Sequence, residues 1–183
     1  MARFFVLAVA AVLWSGAVQA QPAGRAPARE KPAAAVPAPT TLDSLHERLA
    51  KARDADEASA IAKQIERRWM RSGSDTVDLL MSRAQQVMTL RDADLALELF
   101  DHIVQIRPKW AEVYHKRALL LFQMNDIDGA MRDIRQALAI EPRHFGALSG
   151  LGMIYEKMDN RKAALAAFTK ALEIHPYIES LRD

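Results

Sequence analysis

The stretch FGALSGLGMIYEKMDNRKAALAAFTKALEIHPYI, residues 145–178, decides the fold, because its spacing recurs upstream. It closes on LEIHP, and the same kind of phrase appears as LAIEP at 138–142 and IVQIRP at 103–108. The prolines fall at 108, 142 and 176, each 34 residues apart. A fixed period of this length marks a stack of repeated units, none of which can bury its apolar face alone. The units run over 77–110, 111–144 and 145–178.

Within that register the small residues return in step. Ala84, Ala118 and Gly152 hold the eighth position, and Ala96, Ala130 and Ala164 the twentieth. Two antiparallel helices approach closely only where side chains are small, so these positions predict the crossing inside a helical hairpin. Phe100, Ile134 and Phe168 fill the twenty-fourth position, and Ile106, Ile140 and Ile174 the thirtieth, where they are expected to pack on neighbouring helices.

The pattern resembles the tetratricopeptide repeat (TPR), most fully in the third unit, with Leu148, Leu151, Gly152, Tyr155, Ala164, Phe168, Ala171 and Pro176 at the signature positions. Arg83 and Arg117 replace the seventh-position leucine, and Ile103 a small residue at the twenty-seventh. The resemblance implies an all-α fold, a right-handed superhelical array of antiparallel helix hairpins. It is similar to small exported bacterial TPR proteins, which implies a binding role.

A degenerate unit precedes the three repeats. RDADEA at 53–58 echoes RDADLA at 91–96, and Leu45, Leu49, Ala58 and Ile65 fall at repeat positions, although His46 and Met70 replace the small residue and the proline. Residues 41–75 therefore read as a capping hairpin. Gly73 is expected to end its second helix, and Ser74 or Asp75 to cap the next by accepting from a free amide. Residues 179–183 form a short tail, too short for a full capping helix.

The first twenty residues carry Arg3, an apolar run from Phe4 to Trp14, and small residues ending Val18-Gln19-Ala20. This is the make-up of a secretory signal peptide cleaved after Ala20, with an uncleaved anchor as the alternative. The run is too short for a comfortable span, which needs about 20 apolar residues. Export to a periplasm-like envelope compartment follows, without membrane insertion after cleavage. Residues 21–40 hold five of the chain's eight prolines and many alanines, the composition of an extended, disordered linker. The chain contains no cysteine, which removes disulfides, thiol catalysis and cysteine metal sites at once.

Charge narrows the partners. The chain carries a formal +2, but residues 77–178 hold thirteen basic and thirteen acidic residues, so the surplus lies outside the repeats. A groove built to neutralise the phosphates of a nucleic acid has no support.

Chemical motifs are equally absent from the sequence. The five histidines, at 46, 102, 115, 144 and 175, include no i, i+4 pair and no HExxH, so no metal site is expected. Ser149 is flanked by Ala147 and Leu151 where a nucleophile elbow needs glycines, and Tyr155 stands where a dinucleotide motif needs its last glycine. No catalytic residue and no cofactor is expected, and an enzyme without a recognisable motif is the remote alternative.

In the TPR family the first helix of each hairpin lines a concave groove, chiefly through its second, fifth, ninth and twelfth positions. Carried over, these are Asp78, Met81, Gln85 and Met88; Glu112, His115, Leu119 and Phe122; and Gly146, Ser149, Met153 and Glu156. They describe an apolar floor with acidic edges, suited to a helix or an extended peptide of a protein partner rather than to a peptide's terminal carboxylate. The function expected is that of an interaction adaptor or assembly factor. Self-association into a homodimer through the thinly capped C-terminal end is the alternative.

Overall fold

The computed structural model describes residues 41–181, so the leader, the Ala/Pro-rich segment and the last two residues lie outside the described part. Eight helices follow one another: α1 (Leu42–Ala50), α2 (Ala55–Trp69), α3 (Asp75–Thr89), α4 (Ala93–Ile106), α5 (Ala111–Gln123), α6 (Ile127–Ile140), α7 (Phe145–Lys157) and α8 (Arg161–Ile174). A single 3₁₀ turn, Glu179–Leu181, closes the described chain. There is no strand among the described residues, and no helix there is long and apolar enough to cross a membrane.

Local chemistry sets the turns of each repeat. The first helix of each hairpin ends in a left-handed residue, Arg91, Asn125 or Asp159, with φ of 61°, 63° and 56°. The next residue, Asp92, Asp126 or Asn160, then caps the second helix by accepting the amide of Leu95, Gly129 or Ala163. Each cap satisfies one of the amides that a helix start leaves unpaired. Since these turns also recur every 34 residues, the period seen in the prolines is a period of the backbone.

Packing follows the small-residue register. Ala84, Ala96, Ala118, Ala130, Gly152 and Ala164 are all buried where paired helices cross, and a side chain on Gly152 would run into the Phe168 ring. Phe100, fully buried, contributes about 2–3 kcal/mol by its removal from water. The thirtieth position behaves differently from expectation. Ile140 and Ile174 are half-buried, but Ile106, the last residue of α4, faces solvent.

Arg117, which departs from the family pattern, ties three helices together. Its guanidinium donates to both carboxylate oxygens of Asp133 on α6 at 2.6 and 2.7 Å and to Asp101 on α4 at 2.7 Å. The paired geometry is that of a planar fork on a carboxylate, which lysine does not reproduce.

The α1–α2 hairpin behaves unlike the others. It does not stack on α3 and α4 as each repeat stacks on the next; its closely packed partner outside the hairpin is α8. Its side chains build a second core from Leu45, Leu49, Ala58, Ile61, Ala62, Ile65 and Trp69, closed by Phe145 of α7 and by Ile174, Tyr177 and Ile178. The joint to α3 runs through Gly73, whose φ of 79° suits glycine. Ser74 occupies the cap position of α3 but makes no side-chain cap bond; its carbonyl instead accepts the Ser72 hydroxyl, and Asp78 accepts the Ser72 amide. The capping role expected of Ser74 has thus passed to a bonded loop.

Candidate functional site

The candidate surface is formed by the first helices α3, α5 and α7, and the hairpin covers part of it near the start of α7. Trp69, in the last turn of α2, stacks on His144 with ring centroids 4.2 Å apart and tilts against Phe145 at 5.0 Å. The Trp110 indole donates to the Trp69 carbonyl at 2.7 Å, satisfying an acceptor that the end of α2 would otherwise leave open. At the rim Arg143 donates to Asp43 at 2.6 Å, and the Tyr177 hydroxyl donates to the Arg53 carbonyl at 2.9 Å. The hairpin therefore bridges the loop before α5, the loop before α7 and the segment after α8.

Beneath it lies a polar cluster that helical spacing alone did not reveal. Glu112 and His115 come from one turn of α5, and His144 comes from the cap of α7. All three are buried, and their ligand-type atoms lie within 4.8 Å of one another. His144 Nδ1 accepts the Ala147 amide, so its proton sits on Nε2, which donates to Glu112 at 2.9 Å. Lys116 lies 3.1 Å from the other Glu112 oxygen.

Burial works against the Glu112 charge, yet the His115 and His144 imidazoles and the Lys116 ammonium hold its carboxyl well below the usual range. Burial pushes His115 down to about 4 against the opposing pull of Glu112. A divalent cation here would need a lone pair from His144 Nε2. That would require moving the proton to Nδ1 and breaking the α7 cap, with Lys116 adding repulsion. The cluster therefore fits a buried acid–base pairing network better than a metal site.

The sequence-selected groove residues separate into three groups. Met81 is fully buried in the repeat core, a correction to its place on the groove floor, because its side chain points between α3 and its packing partners. Asp78 is likewise taken up by the Ser72 amide, and Glu112 and His115 are enclosed rather than lining an open edge. Gly146 and Ser149 face α2 across a cleft of about 610 Å³, with the Ser149 hydroxyl donating back to the Phe145 carbonyl. The His115 ring lies over Gly146, where an added Cβ would stand 3.1 Å from it.

The remaining positions lie beyond the hairpin. Leu119, Phe122 and Met153 line a small apolar hollow floored by Ala118, Ile134, Gly150 and Ile154. Met153 is 44% exposed there. Glu156 is exposed, and Gln85 and Met88 are half-buried.

Residues 111–144 and 146–177 each match a tetratricopeptide repeat family model. The fold is a tetratricopeptide-repeat array. A TPR repeat-containing protein of Rhizobium etli is 40% identical over 135 residues, covering 74% of this chain and 66% of that protein, so the match falls just short of two thirds of the relative's length. The TPR domain of Sgt2 from Aspergillus fumigatus superimposes with a TM-score of 0.53 at 24% identity, over 55% of this chain and 67% of that one. YrrB, described as a TPR protein with an unusual peptide-binding site, gives 0.53 at 22% identity, over 75% of this chain and 68% of that one. At these identities the two structures speak for the TPR fold alone.

Proposed function

We propose that this protein is a non-enzymatic interaction adaptor or assembly factor that docks a helix or peptide of another protein on its concave face. TPR proteins generally mediate protein–protein interaction, and the fold is typically non-enzymatic. The observation that carries the reading is the shallow apolar patch of Leu119, Phe122 and Met153, on the face that the family uses for binding. Apolar side chains of a docked helix would lie across this patch, while exposed Glu156, one turn further along α7, disfavours acidic partners. The peptide-binding site for which YrrB is described supports the reading by analogy of fold.

The composition of residues 1–20 supports assigning this activity to the bacterial envelope, on the periplasmic side, after cleavage behind Ala20. Sequencing the mature N-terminus checks that step: it should begin at Gln21, and an intact Met1 on the envelope form would contradict it. For the docking surface, Leu119→Glu with Phe122→Glu should abolish crosslinked capture of a defined envelope protein while circular dichroism stays helical. Unchanged capture by the helical double variant would count against the concave face.

A further inference from the structure

The hairpin raises a question that the docking role leaves open. Part of the concave face, at His144, Phe145, Gly146 and Ser149, is already occupied, and the occupant is a segment of the same chain. Its cluster is separate from the repeat core, with only Phe145 of the array among its fully enclosed members. It makes few close contacts with α3, its neighbour in sequence, to which it is joined by Met70 on the repeat core and by the bend at Gly73. Those are the properties of a folded unit that can leave without unravelling the repeats.

The seam itself is imperfect. Among the described residues, the buried side-chain nitrogens with no hydrogen-bond partner in the protein are both of His46, Nε1 of Trp69 and Nδ1 of His115. All of them sit at or beside this seam. Each buried donor or acceptor nitrogen without a partner weakens the docked state relative to the hydrated one. The cleft of about 610 Å³ between α2 and Gly146, Ser149 and Tyr177 shows that the apolar contact is also incomplete. Trp69 is the largest hairpin side chain at this seam, held by its stack on His144 and by the Trp110 indole on its carbonyl, beside the apolar contacts of Phe145, Ile174, Tyr177 and Ile178.

We propose that the α1–α2 hairpin is a resident, exchangeable ligand of the concave face, standing where an amphipathic helix of a protein partner docks with an aromatic side chain in its last turn. The chemistry of that helix can be read from α2. Small residues such as Ala62 face Gly146 and Ser149, an aromatic ring covers His144 and Phe145, and the last-turn carbonyl accepts the Trp110 indole. An acidic residue placed like Glu66 lies within electrostatic reach of Lys116. The inference rests on the concave face being the docking surface, and it adds that the free protein is self-occluded.

The test uses the full-length protein and a fluorescent peptide of residues 54–71. Occlusion lowers apparent affinity by the fraction of molecules whose face is uncovered. Trp69→Ala, which frees the face, should therefore bind the peptide about tenfold or more tightly than the parent protein does. The peptide with its own tryptophan replaced by alanine should bind neither. Asp43→Arg, which sets two guanidiniums against each other at the rim, should shift affinity in the same direction by less. Equal peptide affinity for parent and both variants, or no binding to an Asp43→Arg protein whose repeats remain helical, would overturn the proposal. No cellular partner enters this measurement, so its failure leaves docking at Leu119 and Phe122 standing. Loss of partner capture would equally leave exchange standing.

Discussion

Trp69 and His144 stack at 4.2 Å, although one ends α2 and the other opens α7. That contact joins the N-terminal hairpin to the middle of the repeat array. Removing it should separate the two. Trp69→Ala deletes a large buried ring, a change that typically costs about 3–5 kcal/mol. The loss should appear in hydrogen exchange as faster exchange of α1 and α2 amides, with α5 to α8 still protected. Uniform loss of protection would mean that the hairpin and the repeats form one cooperative unit.

Acid should loosen the same seam. Burial, followed by the charge of Arg143, lowers the His46 pKa, with Glu141 and Asp43 pulling the other way. Burial also lowers His175, and it holds His115 at about 4. A histidine lowered in the docked state binds fewer protons there than when released, so docking is at full strength above about pH 6.5 and weakens as pH falls toward 4. His115 adds to the loss to the extent that lifting the hairpin exposes its ring to water. Glu66, raised by its own desolvation, acts in the opposite sense as it protonates at lower pH. Corrected exchange protection of α1 and α2 between pH 7.5 and 5.5 measures the effect. His46→Phe should blunt it, and protection that does not change with pH would refute it.

The Arg117 fork should be worth more than a surface ion pair. Asp133 is buried, and Arg117→Ala leaves its carboxylate without its main partner. The expected cost is about 2–3 kcal/mol by urea unfolding, less than for a fully enclosed pair because the arginine keeps some solvent contact. Arg117→Leu combined with Asp133→Leu removes the unpaired charge and should recover most of that stability. Equal losses for the single and double variants would show that the pair contributes packing and not charge compensation.

The repeat architecture was legible because it is written in local, periodic residues. The small crossing positions and the spacing of Pro108, Pro142 and Pro176 report the neighbours that each helix must accommodate. The covering of this face by the hairpin was not legible. Leu45, Leu49, Ala58 and Ile65 specify an amphipathic hairpin, but the same apolar stripe serves for stacking on α3 or for crossing to α7 and α8. His46 and Met70, read as blemishes in a degenerate repeat, mark a hairpin that does not continue the stack.

Side-chain clusters assembled across the period were missed for a related reason. A search for histidine pairs on one helix does not find Glu112 and His115 meeting His144 from the next repeat. Arg117 looked like a lost leucine because its acceptors, Asp101 and Asp133, lie 16 residues to either side. The available signal was an arginine at an inward position with acids at equal offsets on the flanking helices.

Docking of the hairpin across the concave face is the central claim, and it can be measured in a chain that has no native cysteine to interfere. Asp43→Cys with Arg143→Cys replaces the rim pair with two thiols, to be treated with a short bis-maleimide at low protein concentration. The account requires an efficient intramolecular crosslink in the native protein at pH 7.5, lost in urea and reduced by Trp69→Ala. Absence of that crosslink in the native protein, with both thiols reactive toward a single maleimide, would contradict it.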